Sequence, residues 1–411
     1  MEEQNQQEEK KTFKRQNPIF LGVILLCAGI AVALTQYKIP TIMMAIMGLF
    51  DMDAATASWL MSIFTLMGII FAIPSGALAQ KFGAKNMMMV ALIIAVCGSM
   101  IGLFAGTSPV LIFSRAIEGV ALTILTTCGP IVVQKCVVPE KIGSTMGVWG
   151  IWGCLGSTIA ALITPTLFET AGFSGVWIFY AVVCVIMVVV LFFAVRMPPK
   201  DFFPAVEAAV AEAQSEDAPT GLAAYKAIFS KDVVLFFIGF AIFNICLLAI
   251  LSFVPTILQM QDFDQTLSGF ISTAPMLLSI VASPLFGTIS DKIGKVKPLL
   301  CLAMFVMGPC TMIMYNNTGV LLWVAVLVMG LIGMGAVGLF LSGFTKLLPR
   351  PELVAVGMGV MVCIQGLGQF LGSFMVQALL GDTLTNWFFA GIVLMILGFI
   401  GTAAIALTKM K

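Results

Sequence analysis

The sequence "GALAQKFGAK" at residues 76–85 recurs in the second half of the chain as "GTISDKIGKVK" at residues 287–297. A glycine, a lysine and a second glycine match at one constant spacing between the copies: Gly76, Lys81 and Gly83 pair with Gly287, Lys292 and Gly294. Each copy follows the second long apolar stretch of its half. A repeat in this register predicts two duplicated units related by internal symmetry.

Composition places the chain in a lipid environment. Of its 411 residues, 60% are hydrophobic and 10% are charged, and the mean hydropathy is +1.08. A globular domain of this composition could not cover its surface with polar side chains. The formal net charge of +1 gives no reason to expect a nucleic-acid partner. The sequence therefore predicts an integral membrane protein whose surroundings are the lipid bilayer.

Twelve apolar stretches are each long enough to cross a bilayer, which takes about 20 helical residues. Their continuous apolar runs, without alternation of period two, predict helices and exclude a membrane barrel. The predicted spans lie near residues 18–48, 57–79, 86–106, 109–134, 143–168, 174–196, 232–259, 268–289, 297–315, 319–345, 354–380 and 385–408. The expected fold class is all-α, with twelve transmembrane helices in two pseudo-symmetric bundles of six.

A polar stretch rich in proline and alanine separates the two sets of six spans. The division predicts a polar N-terminal tail, a first bundle, a linker and a second bundle at residues 1–17, 18–196, 197–232 and 233–408. The composition of the linker is typical of a solvated tether, and a regulatory role is the alternative.

The basic residues outside the spans all fall on one side of the predicted bundles. With the N-terminus in the cytoplasm, every lysine and arginine except Lys38 and Arg115 lies in a cytoplasmic connection or tail. The opposite connections carry only acids: Asp51, Asp53, Glu169, Asp262, Asp264 and Asp382. Because cytoplasmic loops are enriched in lysine and arginine, we expect a multi-pass protein of the bacterial inner membrane with both termini in the cytoplasm.

The repeated loop resembles the signature of the major facilitator superfamily, G-x-x-x-D-[RK]-x-G-[RK]-[RK]. The second copy fits this pattern, whereas the first copy has Gln80 in place of the aspartate and Ala84 in place of a base. The stretch "RAIEGV" at residues 115–120 resembles the fourth-span pattern R-x-x-Q-G of the same family, with Glu118 in the glutamine position. The resemblance implies the twelve-helix fold of that family and transport by alternating access.

The resemblance also implies a cytoplasmic gate, because the loop charges of the family pair across the two halves in the outward-facing state. The residues of this chain at the matching positions are Gly76, Lys81, Gly83, Lys85, Gly287, Asp291, Lys292, Gly294 and Lys295. Since Gln80 carries no charge, Asp291 is the acid expected to form this gate. The basic residues have an alternative role in setting the membrane topology.

Two cations lie inside spans, where a charge costs roughly 2.5–3.5 kcal/mol on insertion scales. Lys38 lies about 30 Å along the first span, and Arg115 lies roughly 10 Å from the outer end of the fourth, at 1.5 Å per residue. Both therefore fall in the outer half of the membrane. Glu118 lies on the same helix face as Arg115, and Pro40 predicts a helix break that frees backbone carbonyls near Lys38.

These charges predict a site for an anion, with Glu118 as a candidate carrier of a coupling proton. The family architecture implies that spans one, four, seven and ten surround a central cavity, which would bring Lys38 and Arg115 together. The candidate substrate-binding residues are Lys38, Arg115, Tyr37, Gln36, Asn244, Gln365 and Gln369. The alternatives are that Lys38 extends towards the outer interface and that Arg115 and Glu118 form a purely structural pair.

The expected function is secondary active transport of a small organic or inorganic anion, driven by a proton gradient or by exchange. A proton-coupled exporter of hydrophobic or amphipathic compounds is the alternative. The chain has no histidine, no metal-ligand cluster and no G-x-x-x-x-G-K-[ST] loop, so we expect no enzyme activity, no metal and no cofactor. Its expected partners are the anion, the bilayer and protons, and we expect it to function as a monomer.

The bias of the basic residues predicts which connections can be labelled from outside the cell. A cysteine placed at Asn316 or Asp382 should react with an impermeant thiol reagent added to sealed cells, and one placed at Ser215 should not. Reaction at Ser215 in sealed cells would overturn the orientation.

Overall fold

The computed structural model describes residues 16–137, 139–197, 228–348, 354–381 and 384–410. Within these ranges the regular elements are helices, and no strand occurs. The first half contains α1 (Pro18–Phe50), α2 (Ala54–Phe82), α3 (Ala84–Leu103), α4 (Ser108–Cys136), α5 (Pro139–Gly150) and α6 (Trp152–Ala194). The second half contains α7 (Lys231–Gln259), α8 (Gln265–Ile293), α9 (Lys297–Asn316), α10 (Gly319–Val328), α11 (Val337–Leu347), α12 (Val354–Leu380) and α13 (Trp387–Leu407). The all-α fold class is confirmed.

The lengths of the helices account for the number of membrane crossings. Among the described residues, 11 helical stretches are long and apolar enough to span a bilayer. One of them, Thr145–Ala194, has 50 residues, or about 75 Å of helix, more than twice the ~30 Å hydrocarbon core. Gly172 interrupts this stretch with φ 66° and ψ −168°, so the chain turns there and crosses twice. The described helices thus agree with twelve crossings.

The tenth span is less regular than its apolar sequence suggests. A π-helical turn at Met329–Gly333 and a 3₁₀ turn at Met334–Ala336 separate α10 from α11, whereas the hydropathy pattern predicts one uninterrupted helix. The interrupted segment reads "MGLIGMGA" and contains three glycines. Glycine weakens a helix by about 1 kcal/mol relative to alanine, and its three occurrences here explain the irregularity.

Several acids of the outer connections have a local structural role, because they cap helices. The carboxylate of Asp53 accepts from the amide of Thr56 at 2.7 Å at the start of α2. The carboxylate of Asp264 accepts from the amides of Thr266 and Leu267 at the start of α8. Each satisfies amides that the first helical turn leaves unpaired. Hydrogen bonds from Thr56, the larger effect from its hydroxyl and the smaller from its amide, lower the pKa of Asp53 below its usual value. The cap therefore stays ionised.

The two halves are joined by uncharged contacts at the end where the acidic connections lie. The side-chain amide of Gln259 in α7 donates to the carbonyl of Thr41 in α1 at 3.0 Å. The hydroxyls of Ser62 in α2 and Ser373 in α12 lie 2.9 Å apart. At the opposite end, the first glycine of each loop copy has no heavy atom within 4 Å of where a Cβ would project. The contacts described here join the two halves at the acidic end, and the repeated loops lie at the opposite end.

The turn at Gly172 gives a prediction about stability. Its backbone conformation is accessible essentially to glycine alone, and forcing another residue into it costs about 1–3 kcal/mol. We therefore expect Gly172→Ala to lower the melting temperature of the purified protein by several degrees. Gly106 is the matched control, because it lies in an outer connection with open space around it and without a positive φ. Equal melting temperatures for Gly172→Ala and Gly106→Ala would contradict the prediction.

Candidate functional site

The charges inside the spans form one cluster within the first half. The ammonium of Lys38 donates to Oε1 of Glu118 at 2.7 Å. Nη1 of Arg115 donates to Oε2 of the same carboxylate. The three side chains, hereafter the charged triad, are each 0% exposed. Each oxygen of the carboxylate is therefore taken by one cation, in a region that excludes water.

Backbone carbonyls satisfy the remaining donors of Arg115. Its Nη1 and Nη2 donate to the carbonyls of Thr35 and Gln36 in α1 at 2.5 and 3.1 Å, and Nε donates to the carbonyl of Leu60 in α2 at 3.2 Å. The carbonyl of Gln36 is available because Pro40, four residues later, has no amide to donate. The break expected at Pro40 is present, since Ile42 has non-helical φ and ψ. Arg115 thus joins its own helix to α1 and α2, and one of the carbonyls that it binds, that of Gln36, is free because of Pro40.

Helices α3 and α6 complete the surroundings of the triad. The hydroxyl of Ser99 donates to Oε1 of Glu118 at 2.7 Å, and the ammonium of Lys38 lies 4.2 Å from the ring centroid of Trp177. Gly98 and Gly102 make room for these groups. A Cβ at Gly98 would lie 2.8 Å from Cγ of Glu118, and one at Gly102 would overlap the indole of Trp177.

The cluster carries one positive charge in excess, because two cations share one carboxylate. Taking an ion out of water costs several kcal/mol in a protein interior, and only well-placed partners offset that cost. In the part of the chain that the structure describes, the ion pairs are the two made by Glu118. The formal charge balance of the spans therefore depends on this one carboxylate.

The structure brings Lys38 and Arg115 together, as the sequence predicts, but it encloses them within the first half. Their described polar partners all come from α1 to α4. The expected position beside a central cavity is therefore not what this conformation shows. Depth along a span indicates that two charges can meet, whereas the rotation of each helix decides whether they face a cavity or a neighbouring helix.

The other candidate substrate residues lie apart from the triad. The described contact of Gln36 with the triad is its backbone carbonyl, which accepts a hydrogen bond from Arg115. Tyr37 is buried, with 9% of its surface exposed. The side chain of Asn244 donates to the carbonyl of Phe240 in its own helix at 2.9 Å. Gln365 is exposed and Gln369 is half-buried on α12. These last two place polar groups at the surface of a membrane-spanning helix of the second half.

The candidate gate residues lie at the end opposite the acidic connections. The ammonium of Lys85 donates to the carbonyl of Phe192 at 2.9 Å. Most of the other positions with described side chains are exposed: Lys81, Gly83, Lys292, Gly294 and Lys295. Gly76 and Gly287 are half-buried with open space around them. The side chains of Gln80 and Asp291 lie outside the described part of the structure, so the gate remains a prediction.

The sequence analysis missed Ser99 and Trp177. A signal for the first is present in "GSMIG" at residues 98–102, which has the small-xxx-small spacing of closely packed membrane helices. This pattern marks a helix face on which a bulky neighbour can approach. Trp177 had no comparable signal, because a tryptophan in a span is equally compatible with packing and with an interfacial position.

The second half has no counterpart of the charged triad among its described residues. The repeat spacing places Ala249 opposite Lys38 and Val326 opposite Arg115. The carbonyl of Ala249 accepts from the hydroxyl of Tyr315 in α9 at 2.8 Å. Tyr315 in turn packs edge-on against Trp387, with ring centroids 5.5 Å apart. A neutral aromatic pair thus occupies the region corresponding to the ions of the first half.

The charge balance of the triad predicts different costs for removing its members. Lys38→Met leaves the neutral pair of Arg115 and Glu118, whereas Glu118→Gln leaves two buried cations without a counter-ion. Breaking a buried pair costs about 3–5 kcal/mol. We therefore expect Glu118→Gln to lower the melting temperature in detergent more than Lys38→Met does. The reverse order would show that the carboxylate is not the main source of stability in the cluster.

Comparison with known proteins gives the family. The model of the Major Facilitator Superfamily matches residues 21–373. An uncharacterised transporter of this type, YcnB of Bacillus subtilis (strain 168), is 31% identical over 176 residues, which are 42% of this chain and 36% of the relative. The galactose–proton symporter of Escherichia coli (strain K12) is 28% identical over 151 residues, 36% of this chain and 32% of the symporter. The aligned region thus spans about a third of each of these two relatives.

A solved structure shows the same fold. The crystal structure of a bacterial homologue of the human lysosomal transporter Spinster, in an inward-facing and occupied conformation, has a TM-score of 0.77 and 12% sequence identity. The alignment covers 96% of this chain and 97% of that one. At this identity the likeness concerns the fold alone. Since the family model covers most of the sequence, the chain belongs to the Major Facilitator Superfamily, a family of multi-pass membrane transporters.

Proposed function

We propose that this protein moves a small organic or inorganic anion across the bacterial inner membrane by alternating access, driven by a proton gradient or by exchange. The observation that carries the proposal is the excess positive charge of the triad. Two buried cations share one carboxylate, and an anion that approaches them restores neutrality in a medium of low dielectric constant, where the attraction is strong.

In this conformation the anion has to compete with Glu118 for the two cations. Arg115 offers a directed fork that suits a carboxylate or another planar anion, and Lys38 offers a compact charge. When the anion takes these donors, Glu118 loses its counter-ions and binds a proton. Anion binding and proton binding at the triad are then linked, which supplies a route for the proton gradient to drive transport.

The arrangement of the halves supports alternating access. With both termini in the cytoplasm, the contacts of Gln259 with Thr41 and of Ser62 with Ser373 join the halves on the outer side of the membrane. In the outward-facing state the loops close, and Asp291 pairs with basic residues of the opposite loop. Gln365 and Gln369 supply polar contacts to the substrate from the second half, and the support for this role is that neither side chain is buried within its half.

A second candidate is the proton-coupled exporter of hydrophobic or amphipathic compounds. The complete burial of the triad favours it. A cluster without exposure to solvent suits a relay for protons and does not need to contact the substrate. In this alternative the substrate occupies an apolar cavity between the halves, and Glu118 alone exchanges protons.

Transport assays in proteoliposomes distinguish the two candidates. The panel contains nitrate, cyanate, and labelled mono- and dicarboxylates, each measured with and without a pH gradient. We expect uptake of at least one anion, and a loss of at least about tenfold in Lys38→Ala and in Arg115→Ala, because each removes a charge-assisted hydrogen bond of about 1.5–3 kcal/mol. Lys38→Arg should retain more activity than Arg115→Lys, since lysine cannot reach the three carbonyls that Arg115 binds.

Lys297→Ala is the matched control, since this lysine donates to the carbonyl of Thr408 at 2.8 Å and lies away from the triad. It should transport at the rate of the unmodified protein. Normal anion uptake by Lys38→Ala would overturn the anion site. Proton-dependent efflux of an amphipathic dye by a protein that carries none of the anions would establish the second candidate.

A further inference from the structure

We propose that Trp177 is a positioning residue that holds the ammonium of Lys38 through its indole face, both while Glu118 is ionised and while it is neutral. The inference deepens the proposed function, on which it rests for the role of Lys38 in transport. The contact itself can be tested without any substrate.

The geometry gives Lys38 two partners of different kinds. Its ammonium lies 2.7 Å from Oε1 of Glu118 and 4.2 Å from the ring centroid of Trp177. A cation within about 6 Å of an aromatic centroid is attracted by the ring, and more strongly when both groups are shielded from water. Lys38 and Trp177 are both 0% exposed. The two contacts therefore act on the same ammonium in a dry environment.

Packing fixes the orientation of the indole. Phe173, one helical turn earlier in α6, stacks on Trp177 with ring centroids 4.1 Å apart and an interplanar angle of 26°. The edge of the indole occupies the space that a side chain at Gly102 would fill. The ring is thus held between α3 and its own helix, and it cannot turn its face away from Lys38 without displacing one of them.

The indole nitrogen of Trp177 has no hydrogen-bond partner in the described structure. A buried tryptophan usually finds a partner for this group. The position of the ring is therefore set by packing and by what its faces contact, and those contacts include the stacked ring of Phe173 and the ammonium of Lys38. A tryptophan whose role is to donate a hydrogen bond to a carbonyl of a neighbouring helix would have such a partner, and Trp177 has none in the described structure.

The two partners of Lys38 respond differently to protons. Glu118 loses its attraction for the ammonium when it binds a proton, whereas the indole has no group that titrates in the physiological range. The charged and titratable side chains around the carboxylate are Lys38 from α1, Arg115 from α4 and Cys184 from α6, with Ser99 from α3 as a neutral donor. Trp177 consequently keeps the ammonium in place during the step in which Glu118 is neutral.

Trp387 provides a matched control in the second half. It is also buried and its indole nitrogen also has no described partner. Its ring packs against Tyr315 and not against a cation. Changes that weaken only the attraction of a ring for a cation should therefore affect position 177 and leave position 387 unchanged.

The test replaces Trp177 by tryptophans with one to four fluorine atoms, which withdraw charge from the ring face with little change in shape. The melting temperature of the full-length protein in detergent is the readout. We expect it to fall by roughly 1 °C per fluorine with Lys38 present. The slope, which is the change in melting temperature per fluorine atom, should vanish when Trp177 is fluorinated in Lys38→Met and when Trp387 is fluorinated instead. In Glu118→Gln the fall with fluorination should persist, because the indole face attracts the ammonium whether or not residue 118 carries a charge.

A melting temperature that does not change with fluorination at position 177 would overturn the inference, as would an equal slope in Lys38→Met. Should Glu118→Gln fail to fold, the comparison of the fluorinated series with and without the Lys38→Met substitution, together with the series at Trp387, still decides the result. Normal anion transport by Lys38→Met, combined with a clear slope in the fluorinated series, would refute the proposed function and leave the contact with Trp177 established.

Discussion

The first half of the molecule depends on one carboxylate shared by two cations within the membrane. Glu118 binds Lys38 with one oxygen and Arg115 with the other. This carboxylate offsets part of the cost of holding each cation within the membrane. Much of the surrounding sequence follows from this requirement: the break at Pro40 supplies a free carbonyl, and Gly98 and Gly102 let the carboxylate and an indole approach α3. The ion cluster and the packing of the helices around it are a single structural unit.

The duplication has produced two halves with different interiors. The first half is held together partly by charge, whereas the second uses large apolar side chains and a neutral hydrogen bond from Tyr315 to the backbone at Ala249. Equivalent positions in the repeat therefore have unequal chemistry. A symmetric scaffold permits this, because each half has its own core and can change it without disturbing the other. The consequence is that, among the described residues, the ion pairs within the spans lie on one side of the molecular pseudo-symmetry axis.

The sequence predicted the fold class, the number of crossings and the identity of the charged cluster, and each for a physical reason. Apolar runs of fixed length report membrane crossings directly, and a charge in such a run is too costly to be incidental. The pairing of Lys38 with Glu118 was not predicted. Distance along a helix gives depth in the membrane, but the rotation of a span of nearly uniform hydrophobicity has no signal in the sequence. The π-helical turn in the tenth span was missed because the hydropathy pattern reports how apolar a span is and not how its three glycines weaken the helix.

The π-helical turn at Met329–Gly333 has a mechanical consequence. A π turn widens the helix and shifts its hydrogen-bond register by one residue, and the 3₁₀ turn that follows narrows it again. Bending a helix costs least where its ladder of hydrogen bonds is already irregular. The fourth span, which corresponds to this one in the repeat, is instead braced by Arg115 to its neighbours. The tenth span therefore bends more easily at its π-helical turn than the fourth span does at the corresponding position, where Arg115 binds neighbouring helices. Strain applied across the molecule consequently deforms the two halves unequally.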